Sequence, residues 1–225
     1  MKNSLLIGDM LFVKKFSYGV PIPRIPWLEI KMLPDFNDNG HLIEGDRPER
    51  GDIVVFRYPK NETIHYVKRA VATGGDLIAL QDKKLLLHPK EGNEFVKANY
   101  PKENIIEVGD KLWVVNPYKK EHPGIHNDPT VVNNGLNPQE LFNLRPIIVP
   151  EDETFMMGDN RDHSNDSRFW GTVPYKYIVG TPWIIYFSWD KNKEIRWDRV
   201  LKQVETIEEK MNTKSIKLDH EKGIY

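Results

Sequence analysis

Lys68 lies in a β-branched and aromatic run, Thr63 to Ala72, that reads as a strand. Alternation sets His65, Val67 and Arg69 on one face and Tyr66, Lys68 and Ala70 on the other. A lysine that shares a face with an aromatic ring and an alanine has two readings. It is a solvated or snorkelling side chain on an edge strand, or a desolvated amine that stays neutral and serves as a general base. A second group of reactive types crowds the segment from Asp159 to Arg168, between the apolar stretches Phe155-Met156-Met157 and Phe169-Trp170. Such a run is a solvated loop, a calcium loop or a hydrogen-bonded scaffold beside a site. Calcium fits poorly, because Arg161 and Arg168 put cations inside the run and no Glu stands at the twelfth position. Opposite charges this close favour an internal ion-pair network, with Asp166 paired to Arg168 or Arg161. The chain has no cysteine, which excludes thiolate nucleophiles, disulfides and Cys-ligated metals.

The elements that must position these residues are short strands. Runs at Met10–Lys14, Asp52–Tyr58, Thr63–Ala72, Asp76–Leu80, Lys83–His88, Lys111–Asn116, Glu153–Met157 and Thr181–Ser188 are split by Gly, Pro, Asn and Asp. That pattern predicts a mostly β fold. Lys60-Asn61-Glu62 and Gln81-Asp82 are placed as hairpin loops. Residues 89–150 are less regular and read as an elaboration inserted into a β core, with a helical stretch near Pro138–Leu144 capped by Asn137. Trp197, Val200, Leu201, Val204, Ile207 and Met211 recur at steps of three or four, which predicts a helix from Arg196 to Asn212, either packed on its own domain or facing a partner or a membrane surface.

At 225 residues the chain can bury a core unaided, as one large domain or two small ones. Lys and Arg number 32 against 33 Asp and Glu, a balance that argues against a nucleic-acid partner held by bulk charge. No apolar run approaches the ~18 residues that span a bilayer, and Met1–Ile7 is neither a signal peptide nor an anchor. Val20, Ile22, Ile25, Trp27 and Leu28, interrupted by Pro21, Pro23 and Pro26, form a loop that folds onto the core or dips into a lipid interface.

Three segments taken in order resemble bacterial signal peptidase I. Gly158 to Gly171 matches that family's box Gly-Asp-Asn-Arg-Asp-Asn-Ser-x-Asp-Ser-Arg-Tyr-Trp-Gly, with His163 for Asn and Phe169 for Tyr. Arg50–Phe56 with Lys68-Arg69 matches its Lys-Arg box, and Gly8–Lys14 its Gly-Asp-x-x-x-Val-x-Lys box. The resemblance implies an antiparallel β-sheet catalytic core of residues 1–76 and 151–225, and an inserted β domain of residues 77–150. It implies a Ser/Lys endopeptidase that cleaves signal peptides from exported preproteins after small residues at −1 and −3. Lys68 would be its base and Ser164 would orient the amine. Asp166 and Arg168 would form a supporting ion pair, and Met1, Leu5, Tyr66 and Val67 would line small apolar pockets. No metal or cofactor is implied. The place of action would be the outer face of the bacterial cytoplasmic membrane, in contact with lipid. Met1-Lys2-Asn3-Ser4-Leu5 stands where the family has Met-x-Pro-Thr-Leu, so the nucleophilic serine, the oxyanion donors and the anchor are expected before Met1. Ser4 matches the family's Thr and is not the nucleophile. The alternatives are a peptide-binding β domain without activity and another Ser/Lys peptidase of the same core.

Overall fold

Most of the chain alternates, and alternation here sends successive side chains into different cores. The computed structural model describes residues 5–25 and 30–211. Its strands are β1 (Asp9–Lys14), β2 (Gly19–Pro21), β3 (His41–Glu44), β4 (Ile53–Tyr58), β5 (Asn61–Thr73), β6 (Leu77–Gln81) and β7 (Lys84–His88). They continue with β8 (Ile105–Val108), β9 (Lys111–Val115), β10 (Leu144–Ile148), β11 (Glu153–Met157), β12 (Val173–Pro174), β13 (Ile178–Ser188) and β14 (Lys202–Gln203). Helix α1 covers Asn93–Asn99, α2 Ser167–Trp170, and α3 residues 204–211.

The fold is mostly β, with antiparallel sheets and a C-terminal helix. One sheet runs β1-β13-β4-β5-β11-β12, with β14 on β13. A five-stranded sheet runs β10-β6-β7-β9-β8, and β2 pairs with β3. In β4, Val54 and Phe56 point into a core with Ala70, Met156 and Ile178, while Ile53 points the other way, towards Leu5, Ile185 and Val204. Burial on both faces explains why β4 reads as an unbroken apolar run. A third core joins the two large sheets through Val71, Ile78, Leu87, Phe155 and Met157.

Every strand run expected from the sequence is present, with ends moved by at most three residues. Thr181–Ser188, for example, begins at Ile178. The turns differ in detail. Tyr58 pairs with Asn61, so the first loop is Pro59-Lys60. Gln81 pairs with Lys84, leaving Asp82 and Lys83 at φ 45 and 65, the left-handed pair that a two-residue hairpin requires. The helix expected at Pro138–Leu144 is a single 3-10 turn, Gln139–Leu141, because Leu144 already starts β10 and pairs with β6.

The helix expected from Arg196 begins instead at residue 204. Arg199 donates to both oxygens of Asp9, at 3.1 and 2.6 Å, and Arg196 to Asp9 at 3.4 Å and to the Ile7 carbonyl at 2.8 Å. Ser188 Oγ closes the same carboxylate at 2.6 Å. Burial would raise the Asp9 carboxyl, but the bonds from Arg199, Ser188 and the Leu6 N–H outweigh it and hold it below its usual value. Residues 196–203 are thus spent tying the chain to β1, and Leu201 at φ 59 ends any helical path there. Among the described residues no helix is long and apolar enough to cross a membrane.

Candidate active site

Strand β5 is long because its two halves have different partners. β4 pairs with it from Asn61 to Arg69, and β11 from Arg69 to Thr73. Among the described residues no strand pairs the second edge of β5 from Asn61 to Lys68. Lys68 therefore stands where the sheet edge opens. Its Nζ donates to Ser164 Oγ at 2.7 Å and lies 5.5 Å from the centroid of the Tyr66 ring. The lysine is half-buried. Burial pushes the amine below its usual value; Asp166 and Asp159 pull it up and Arg168 pushes it down, and the net direction is downward. Desolvation wins because the nearest carboxylates already belong to arginines.

Those pairings order the loop after β11. Asp159, fully buried, takes a two-pronged contact from Arg69 Nε and Nη2, each at 3.0 Å. Burial would raise the Asp159 carboxyl, but the Arg69 bonds keep it low. Asp162 meets Lys83 at 2.8 Å and accepts from the Asp128 N–H at 2.6 Å. Asp166 caps α2 and accepts from Arg168 Nε at 2.8 Å, Arg168 Nη2 at 2.9 Å and the Gly158 N–H at 3.1 Å. Arg168 also donates to the Arg161 carbonyl. The expected ion-pair network is present with Arg168 as the partner of Asp166. Three of the loop's carboxylates are turned onto cations of the protein, which disposes of the calcium reading.

Gly158 is what lets the loop close on Lys68. A Cβ there would overlap Ser164 Oγ and stand 2.6 Å from Ser164 Cβ, with Lys68 Nζ at 3.5 Å. Gly158→Ala is expected to drive Ser164 off the amine and to cost about 1–3 kcal/mol. The cost would be read as a lower urea midpoint at unchanged slope. An unchanged midpoint would mean that the loop yields freely.

The structure separates the other sequence candidates by face. Tyr66 shares the Lys68 side, packed near Phe56 and Trp170 at 6.2 and 6.4 Å between ring centroids. Val67 and Leu5 meet on the opposite face, in a cluster with Ile53, Leu11, Ile185, Val204 and Ile207. Met1, Trp27 and Leu28 lie outside the described residues. Sequence reasoning assigned no role to Arg69, Asp159 or Lys83. The available signal was Arg69 itself, a charge set directly before the buried run Ala70-Val71-Ala72.

The site is thus a mostly antiparallel β body that holds a half-buried lysine amine against a serine hydroxyl. The family model described as signal peptidase, peptidase S26, matches residues 1–188, and the chain belongs to that family. The signal peptidase I of Helicobacter pylori strain J99 is 45% identical over 242 residues, covering 92% of this chain and 83% of that one. The signal peptidase I of Pseudomonas aeruginosa is 32% identical over 204 residues, covering 86% and 63%. The solved signal peptidase I of Enterococcus faecalis V583 is 24% identical, covering 60% of this chain and 97% of that one, with a TM-score of 0.33.

Proposed function

We propose that this chain carries the base of a Ser/Lys endopeptidase that removes signal peptides from exported preproteins. The observation that carries this reading is the Lys68 amine, lowered in basicity by burial and held by Ser164 at 2.7 Å where the edge of β5 opens. An extended peptide adds to such an edge by backbone hydrogen bonds. The resemblance assigns the attacking hydroxyl to a serine aligned one position ahead of Met1. Neutral Lys68 takes that proton as the serine oxygen bonds to the scissile carbonyl carbon. The resulting ammonium returns the proton to the departing amine as the carbon–nitrogen bond breaks. A water then attacks the acyl-enzyme, with Lys68 again the base. Ser164 holds the amine's orientation, and Asp166 with Arg168 holds Ser164's loop. Residues 1–76 and 151–225 act as the catalytic core and 77–150 as the insert. Leu5, Tyr66, Val67 and Met1 accept small side chains at −1 and −3.

The enzyme works at the outer face of the cytoplasmic membrane. The exposed side chains of Phe16, Met32, Leu33 and Phe36 support lipid contact. The test is a chain extended at its N-terminus by a serine and its preceding residues, assayed on a preprotein with and without lipid vesicles. Cleavage by the serine-extended chain and not by an alanine-extended one is expected, faster with vesicles. Equal, background-level turnover by both would leave a peptide-binding domain as the better reading. Vesicle-independent turnover would remove the lipid contact.

A further inference from the structure

Helix α3 lies against the strand that carries Lys68. Val204 and Ile207, three residues apart and so on one helix face, join the apolar cluster of Leu5, Ile53 and Val67. The next residue, Glu208, accepts from Arg69 Nη2 at 2.6 Å. Val67 and Arg69 share one face of β5, so the helix is attached at two neighbouring points of that face, one apolar and one ionic. The ionic point is firm. Arg69 is 1% exposed and is held by Asp159 and by the Gly51 carbonyl as well. His122 Nδ1 stands 3.9 Å from the same Glu208 oxygen. Upstream, the Asp9 bonds to Arg196 and Arg199 fix the segment that leads into the helix.

We propose that α3 forms a wall of the substrate site, with Ile207 limiting the size of the side chain accepted and Glu208 anchoring the helix. The inference rests on the reading of Leu5 and Val67 as pocket-lining. Ile207 packs in the same apolar cluster as those two residues, so the size of its side chain sets the space open to a substrate residue beside them. Glu208 is a positioning residue that acts through Arg69.

The experiment uses the serine-extended chain and peptides with Ala, Val or Leu at −1 or at −3, and reads the ratio of kcat/KM for each peptide to that for the all-Ala peptide. Ile207→Ala is expected to raise the Leu or Val ratio at one position by about tenfold or more, the scale of pocket discrimination by a few methylenes. Ile207→Phe is expected to lower the Val ratio. Glu208→Ala is expected to broaden acceptance in the same direction as Ile207→Ala, and Glu208→Gln, which keeps an acceptor for Arg69, to stay near the parent. Ratios are insensitive to a loss of folded protein, so a structural role alone would not move them. If Val67→Ala shifts the ratios and both Ile207 variants stay within twofold of the parent, the wall is disproved and the pocket stands. If Leu5→Ala and Val67→Ala also leave every ratio unchanged, the pocket reading falls and the wall with it.

Discussion

Lys68→Met in the serine-extended chain is expected to lower kcat/KM by about 10²–10⁴-fold, the contribution of a positioned general base. Met keeps an apolar stem of similar length and removes the amine, so the fold should persist. Lys68→Arg is expected to be equally inactive, because a guanidinium stays charged. Ser164→Ala removes an orienting hydrogen bond and leaves the base, so the loss should be nearer tenfold, as for one hydrogen bond. The rate should rise with pH along a limb set by Lys68, below the ordinary lysine value of 10.5. Stability carries the matching sign. The folded-state value is lowered, so the unfolded chain binds the proton more tightly. The penalty is full below the folded-state value and fades as pH rises towards 10.5. Lys68→Met should therefore be more stable than the parent at neutral pH, with the gain vanishing in alkali. Substantial turnover by Lys68→Met, or an ascending limb that survives it, would disprove the assignment.

Arg69→Met is expected to be the most damaging single change to stability, at about 3–5 kcal/mol. It strands the Asp159 carboxylate at 0% exposure, where its two strong donors were both on Arg69. The remedy for Asp159 is protonation, which the folded variant then favours over the unfolded chain, so the deficit should be largest at neutral pH and shrink as pH falls. Adding Asp159→Leu removes the stranded charge and is expected to recover most of the loss, since a well-packed apolar pair can replace a buried ion pair at little cost. Urea midpoints of the two single variants and the double variant form the cycle. Additive losses in the double variant would show that the two residues are not coupled.

The difference between Lys68 and Arg69 marks what could be read from the sequence. Alternation placed Lys68 with Tyr66, and the dense polar loop announced itself by composition, because local pattern decides both. The Asp166–Arg168 pair was legible for the same reason: its members are two residues apart. Arg69 and Asp159 are 90 residues apart, and nothing local says which buried cation meets which carboxylate. The start of α3 failed differently. Trp197, Val200 and Leu201 continue the helical spacing of Val204 and Ile207, yet Trp197 and Leu201 are exposed. Periodicity registers residue type and is blind to Asp9, at the far end of the chain, which claims Arg196 and Arg199 in an irregular path. The 3-10 turn at Gln139–Leu141 lost to the β6 edge, which took Leu144 into a sheet.

The partnership of β1 with β13 has a consequence for how the protein comes to exist. Asp9 meets Ser188 across 179 residues of chain, and α3 docks later still. A ribosome releases the first strand long before its neighbour is made. Closing so large a loop is entropically uphill until the contacts it brings are available, and topologies of this kind fold slowly. The edge of β1 must wait unpaired, and the surface around Leu5 and Val67 stays unfinished until the last part of the chain arrives. Interrupted translation products would carry Lys68 without the frame that removes it from water. Chains cut short before residue 178 would leave β1 without its partner strand.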